Sequence, residues 1–368
     1  MYRVPHLARV QKDSEGSSAD ELILKLIGKA STVVYHRVHD SDGGTRRESA
    51  RQHVEIVSYE SQLTAFGGKA TPGRHSYPFS VALPPGLPPT MKESGAGGGR
   101  CEIEYELQAR LHRPGILHFD AKGKTELTIH HKPDEAPPTP VTMGPDTRKV
   151  NTCCCFSSGS MSIGFEADRS VVGRNELISL VVVARNDSSS NVKDMNIQIK
   201  QEVKWHARHH TDRRERTIAS IKVSGAQLGE LQRASEKGQE RGRSPVAIAD
   251  EARSDLQAML GAGAGKKYEL MVPDDCQVTM QTSLINVRHS LVVELKTPTC
   301  ITSPEVWMPL RVQPNRGTFS ESAAAEAVPY ATAVEAGVMG ESEFSVPSSA
   351  VTIEYISSMP DPSAPGKF

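Results

Sequence analysis

The densest group of side chains that could bind a ligand lies in WHARHHTDRRER, residues 205–216. Its three histidines, His206, His209 and His210, carry imidazole, the commonest metal-binding side chain in proteins. On a strand, His206 and His210 share a face and His209 points away, and no cysteine or carboxylate at metal-site spacing completes a set. We therefore predict no zinc site here, and no metal or cofactor elsewhere.

The same run is strongly basic, and its cations are the candidate binding residues: Lys204, Arg208, Arg213, Arg214 and Arg216. Two interpretations remain open, a solvated strand end with its loop, or a patch for anionic lipid or for a phosphorylated or acidic protein tail. The formal net charge of −1 creates no global field that would attract nucleic acid, and we expect no nucleic-acid partner.

Three consecutive cysteines, Cys153, Cys154 and Cys155, are the second unusual cluster. They are poorly placed to chelate one ion, because adjacent side chains diverge. They mark either a crossing between domains or a palmitoylation site. The chain has 6 cysteines, and their scattered spacing is not that of a disulfide framework, which fits a reducing cytosol.

The glycine-rich string GAGAGKK at 261–267 does not meet the requirements of a phosphate-binding loop. Leu260 stands where the first glycine is needed and Lys267 where serine or threonine is needed, and the string follows a predicted helix instead of a strand. The chain also contains no G-x-S-x-G, H-E-x-x-H or dinucleotide fingerprint. Because no nucleophile–base grouping emerges either, the sequence predicts a binding module and not an enzyme.

The sequence pattern predicts that the chain consists mainly of β-strands. Residues 101–112 alternate strictly between apolar and polar, and the strand pattern 77–83 precedes them across the corner Pro84, Pro85, Pro88 and Pro89. The order repeats in the second half, where Tyr268…Val272-Pro273 precedes the long pattern 283–296. This echo predicts two related antiparallel β-sandwiches in tandem. No run of 18 apolar residues and no secretory signal pattern occurs.

Composition divides the chain into a flexible N-terminus, a first sandwich, a proline-rich linker, a second sandwich and a mostly disordered tail, at 1–20, 21–131, 132–152, 153–313 and 314–368. Within the first sandwich we expect a charged loop at 39–50, a short strand at 52–59 and a variable connection at 60–72. A charged insertion, 224–265, interrupts the second sandwich and predicts a helix from Val246 to Leu260 behind Ser244-Pro245. It is either a surface insertion or a partner-docking helix.

Residues 73–115 resemble the arrestin family, its α-arrestin (arrestin-domain-containing) branch in particular. The branch has the pattern G-x-H-x-Y-x-F-x-F-x-L-P…L-P…(I/V)-x-Y-x-(V/L)-x-A-x-L-x-R-P, and the matching residues are Gly73, His75, Tyr77, Phe79, Leu83, Pro84, Leu87, Pro88, Ile103, Tyr105, Leu107, Ala109, Leu111, Arg113 and Pro114. Further similarity extends over about 20–313. It includes CCCFSSGS at the junction and the closing strands, where His289 replaces the usual tyrosine.

The resemblance implies an all-β arrestin fold, two tandem immunoglobulin-like sandwiches with a helical insertion in the second. It also implies a cytosolic adaptor in protein transport, at the plasma membrane or endosomes, which holds receptor or transporter tails. Members of this branch recruit HECT-type ubiquitin ligases through P-P-x-Y, and the nearest string here is Val328-Pro329-Tyr330. The alternative is a sorting-coat subunit resembling the arrestin-fold retromer component, without ligase recruitment.

The family's opening strands, with their S-P-G-E turn, have no counterpart in the twenty residues before Glu21. Two explanations remain open, a truncated sequence or an altered first edge of the first sandwich. An exposed strand edge would favour aggregation unless another segment covers it.

Overall fold

The computed structural model describes residues 3–4, 7–10, 17–39, 41–70, 73–77, 79–113, 120–133, 137–152, 156–188, 190–232, 254, 257–260, 265–297, 303–315 and 351–355. Within them, 20 strands form nearly all of the regular structure, beside one short 3₁₀ helix and a helical stretch at 257–260. The predicted all-β class with two tandem sandwiches is confirmed. No helix in this described part is long and apolar enough to cross a membrane.

The first sandwich is built from ten strands, one of which comes from the C-terminal tail. Their bounds are β1 Arg3–Val4, β2 Leu7–Val10, β3 Ser17–His39, β4 Thr45–Ala70, β5 Gly73–Ser76, β6 Phe79–Ser80, β7 Met91–Ser94, β8 Arg100–His112, β9 Ala121–His131 and β20 Val351–Tyr355. The main sheet has the order β20-β9-β8-β3-β4, with β7 paired to β8, and two short sheets pair β1 with β6 and β2 with β5.

The second sandwich packs a four-stranded sheet on a six-stranded one. The bounds are β10 Val141–Thr152, β11 Phe156–Ala167, β12 Val171–Gly173, β13 Leu177–Ser188, β14 Asp194–Ala207, β15 His210–Ser224, β16 Lys266–Met271, β17 Met280–Gln281, β18 Ile285–Lys296 and β19 Glu305–Gln313. The orders are β10-β11-β13-β16 and β12-β19-β18-β14-β15, and β17 pairs with β18. The 3₁₀ helix Gly225–Gln232 follows β15.

Strict alternation explains the strands that the sequence predicts best. In β8, the buried residues are Cys101, Ile103, Tyr105, Leu107 and Leu111, and the other residues are partly or fully exposed. The strand β14 repeats the pattern over fourteen residues. Period-two burial is what a strand with one face on a core requires. These strands lie in the interior of their sheets.

Edge and proline-containing strands differ from the prediction. The expected loop at 39–50 and connection at 60–72 are wrong, since β4 begins at Thr45 and continues to Ala70. As the outer strand beside β3, it is mostly exposed and lacks a clear alternation of apolar residues. The expected single strand at 77–83 ends at Ser80. It is interrupted because prolines cannot donate hydrogen bonds to a neighbouring strand.

Two predicted irregular segments also contain strands. The flexible N-terminus includes β1 and β2, which pair with β6 and β5. The proline-rich linker includes β10, which pairs with β11 across a register shift between Met143 and Asp146. Pro145 lies inside that bulge, where a missing N–H is tolerated. Composition alone cannot reveal such pairing, because the partner strand supplies it.

The core of the first domain includes side chains of the second. Val203, Trp205 and Ala207 at the end of β14 pack in one cluster with Leu26 and Ile103 of the first domain. The indole Nε1–H of Trp205 donates to the Val33 carbonyl at 3.2 Å. The β14–β15 hairpin therefore joins the two sandwiches.

Candidate partner-binding site

The five predicted cations lie on the β14–β15 hairpin and on its turn. Lys204 pairs directly with Arg213, and Val203 pairs with Arg214. Because neighbours along a strand point to opposite faces, Arg213 and Arg214 cannot belong to one surface. Arg208 is in the turn with φ of 55°. The hairpin thus divides the predicted patch into an outer and an inner group.

The outer group consists of Lys204, Arg208 and Arg213, and all three residues are exposed. Arg213 Nη1 is 3.9 Å from Glu202 Oε1, with 70% of the arginine side chain exposed, so this ion pair contributes little to stability. The backbone N–H of Arg208 donates to Gln52 Oε1 of the first domain at 2.6 Å. The turn is therefore tethered while its guanidinium faces water.

The inner group consists of Arg214 and Arg216, which do not join that outer surface. The Arg214 guanidinium pairs with Glu93 and donates to the Ser94 carbonyl, both in the first domain. The Glu93 side chain is only 7% exposed. Arg216 donates to the Asp275 carbonyl at 3.4 Å. A charge run in sequence cannot separate these roles, because the other domain determines which face is covered.

The histidines of the run also contribute to the domain contact. The ring of His210 stacks on His36 of the first domain, with centroids 3.6 Å apart. The carbonyl of His206 accepts a hydrogen bond from Thr32 at 2.7 Å. Among the described residues, no group of three His, Cys, Asp or Glu side chains could hold a metal ion.

Sequence reasoning missed Glu93 and Trp205 as interface residues. Glu93 shares a face with buried Met91, two residues earlier, so alternation in β7 could have indicated an inward carboxylate. Trp205 continues the alternation of buried residues in β14, and its partner, the carbonyl of Val33, is 172 residues away. Such long-range partners leave no local signal.

The thiols of Cys101 and Cys276 are both buried. Burial, with a smaller contribution from Glu93, raises the pKa of the Cys101 thiol to about 12. Burial also raises the pKa of the Cys276 thiol. The thiolate is the nucleophile, so raised values make both cysteines unreactive. Cys153, Cys154 and Cys155 lie outside the described residues.

The predicted helix of the insertion is described only at residue 254 and at 257–260, and these residues are helical. Leu260 is buried against Val183 on the outer face of the four-stranded sheet. Gly164 makes room for it, because a Cβ there would be 3.2 Å from Leu260 Cδ1. The described end of the insertion therefore packs on its own domain.

A second candidate surface is the edge of the first sandwich. β20 pairs in parallel with β9 over five residues, from Val351 opposite Leu127 to Tyr355 opposite His131. On the other side of β9, the backbone N–H and C=O of Ile129 both bond to Thr90. Successive residues of a strand direct their backbone groups to opposite sides. The backbone N–H and C=O groups of β9 that point toward β20 are therefore those of Thr128 and His130.

Two comparisons with protein families agree with this architecture. Residues 10–136 match the model of the arrestin (or S-antigen) N-terminal domain. Residues 157–316 match the model of the arrestin (or S-antigen) C-terminal domain. With both domains matched in order over most of its length, the chain belongs to the arrestin family.

Proposed function

We propose that this arrestin-family protein is a non-enzymatic trafficking adaptor. In this proposal it binds the cytosolic tails of membrane receptors or transporters and links them to endocytic or ubiquitination machinery, including HECT-type ligases. It works in the cytoplasm and at the plasma membrane or endosomes. The observation that carries the proposal is the pairing of β20 with the edge of β9.

A sheet edge that accepts one extended segment accepts others of similar backbone geometry. Main-chain N–H and C=O groups provide the affinity, and alternate side chains provide the specificity. The five paired residues of β20 come from the tail of this chain, far in sequence from β9. A cargo tail would bind by replacing β20, and its affinity would be reduced by the cost of that replacement.

The outer cations give the proposal its electrostatic component. Lys204, Arg208 and Arg213 are exposed on the hairpin that joins the two sandwiches. Guanidinium and ammonium groups bind phosphate and carboxylate oxygens, so these residues would hold a phosphorylated or acidic tail or an anionic headgroup. In the same proposal, the three cysteines at 153–155 remain candidates for palmitoylation.

Proline substitutions in β20 test the proposed role of the edge. Since Thr128 and His130 face β20, the N–H of Ile353 points toward β9 and that of Thr352 points away. Ile353→Pro removes a ladder hydrogen bond, and Thr352→Pro is the matched control. Affinity purification of each full-length variant should recover more membrane cargo with Ile353→Pro. Equal recovery from both variants would exclude the edge as the cargo site.

The same purification tests the adaptor function. Receptors or transporters recovered together with endocytic or ubiquitin-ligase proteins would support it. A stable, stoichiometric complex without membrane cargo would contradict it and favour the coat-subunit alternative.

A further inference from the structure

A groove of about 900 Å³ lies on the outer face of the six-stranded sheet of the second domain. Strands β14, β18 and β19 form its floor. Trp307 stands opposite Val292 in the ladder, and Pro309 stands opposite Ser290. Val171 and Met280 line it as well. The groove therefore contains an apolar strip that follows the strand direction.

Trp307 is the most unusual residue of this strip. It is 55% exposed, more than any other large apolar side chain among the described residues. The chain has 2 tryptophans, and the other one, Trp205, is fully buried in the domain contact. Exposed tryptophan beside other apolar atoms is typical of binding surfaces, where it dominates the binding energy.

Charged side chains border the same strip. Lys200 lies opposite Ser290, and Arg288 is two residues earlier on the same strand. Neither cation has an ion-pair partner among the residues that the structure describes. Glu202 stands opposite Arg288 in the β14–β18 ladder and opposite Glu215 in the β14–β15 ladder, and its carboxylate approaches Arg213. Cations that lack partners are thus placed next to an apolar surface.

We propose that this groove binds an extended peptide in which an acidic residue adjoins an aromatic residue. The aromatic side chain packs on Trp307 and Pro309, and the carboxylate binds Lys200 and Arg288. The proposal rests on the adaptor function and names a class of partner for it. The groove lies away from the β9 edge and adjoins the outer cations of the hairpin, since Arg213 approaches Glu202 of its lining.

The lining favours a peptide over a phosphoinositide headgroup. A polyanionic headgroup would bring several negative charges near Glu202 and Glu215, which both line the groove. It would also leave the indole of Trp307 exposed. A peptide with one carboxylate beside an aromatic ring satisfies the cations, covers the indole and brings only one negative charge near the glutamates.

Tryptophan fluorescence provides the test, because acrylamide quenches Trp307 and hardly reaches buried Trp205. The probes are labelled nonapeptides with an Asp-Phe centre and Ser-Ala flanks, and matched peptides with Lys-Phe and Asp-Ala centres. We expect the Asp-Phe peptide to protect Trp307 from quenching by acrylamide. Its binding should also raise the fluorescence anisotropy of the peptide's label. Both matched peptides should bind at least about tenfold more weakly.

Variants of the full-length protein locate the binding. Two variants should each weaken binding about tenfold or more: the single variant Trp307→Ala, and the double variant that combines Lys200→Ser with Arg288→Ser. Lys122→Ser removes an exposed cation of the other domain and should change nothing. Circular dichroism and melting temperature confirm that each variant is folded, which is expected because the altered side chains lie on the surface. Unchanged affinity in Trp307→Ala would overturn the proposal.

Two further outcomes separate this proposal from its rivals. Protection of Trp307 by phosphatidylserine–phosphoinositide vesicles, with none by the Asp-Phe peptide, would overturn it in favour of a lipid site. If the wild-type protein and Trp307→Ala recover equal amounts of membrane cargo from cells, the groove proposal fails while the adaptor function stands.

Discussion

Tyr105 shows how one side chain connects distant parts of the first sandwich. It is 1% exposed, and its hydroxyl donates to the Pro88 carbonyl at 2.7 Å. Its ring lies over Gly28, where any Cβ would come within 2.5 Å of ring atom Cε1. Tyr105 therefore ties the long strand β8 to the proline corner and requires glycine in β3. Alternation predicted its inward face but not its partners.

Replacing Tyr105 by Phe should destabilise the protein by about 1 kcal/mol, because the partly buried Pro88 carbonyl loses its donor. The free energy of unfolding in urea measures this loss. Tyr59→Phe is the matched control, since Tyr59 is 41% exposed and should change stability little. Equal effects of the two substitutions would show that the hydrogen bond to Pro88 is not important.

His289 is a buried imidazole held in its neutral form. Its Nδ1 lies 2.9 Å from the Thr279 hydroxyl and its Nε2 lies 3.3 Å from Gln201 Oε1. Burial, and then the charges of Arg174 and Arg216, lower its pKa to about 3. The ring nitrogen facing the amide oxygen carries the proton, and the other accepts from threonine.

This histidine predicts a specific acid sensitivity. Below the ordinary histidine pKa of about 6.5, the unfolded chain binds a proton that the folded chain does not. The free energy of unfolding is therefore at its full value above that pH. Below it, the free energy decreases by about 1.4 kcal/mol per pH unit down to the folded pKa. The difference in unfolding free energy between wild type and His289→Gln should be constant from pH 7.5 to about 6.5 and should then change by this slope down to pH 5.0. Parallel profiles would contradict it.

At the scale of elements, the hairpin β14–β15 shows what alternation can and cannot predict. The pattern at Val203 and Trp205 correctly indicates one buried face. It does not indicate that this face is covered by the other domain, nor that Arg214 on the partner strand meets Glu93 there. The three outer cations and the two inner ones have the same sequence signal, because charge runs carry no information about tertiary partners.

The insertion provides an element-scale prediction through Leu260, which is 2% exposed. Leu260→Ala removes its contact with Val183 and should ease detachment of the helical end at 257–260 by about 1.4 kcal/mol or more. Trypsin should then cleave within 224–265 about tenfold faster, as measured by mass spectrometry of the fragments. Met259→Ala is the matched control, because Met259 is 40% exposed. Equal cleavage rates in both variants would exclude Leu260 as the anchor.

For the whole molecule, repetition in the sequence predicts the tandem sandwiches, whereas the contact between them follows from side chains that no repeat reveals. The contact combines apolar packing of Val203 and Ala207 with two hydrogen bonds, one donated by Thr32 and one accepted by Gln52. A shared apolar core limits the independent motion of two domains. The orientation of the candidate surfaces thus depends on this contact.

The Arg214–Glu93 pair tests how strongly the contact depends on charge. Arg214→Gln should cost more than Glu93→Gln, because it leaves a carboxylate that is only 7% exposed without its cation. The arginine side chain is 42% exposed, so solvent screening should limit the coupling in a double-mutant cycle to about 1 kcal/mol. Thermal unfolding gives the cycle energies, and the emission of Trp205 reports on the contact itself. Additive effects would show that the pair is not coupled and that the contact depends on its apolar packing and its other hydrogen bonds.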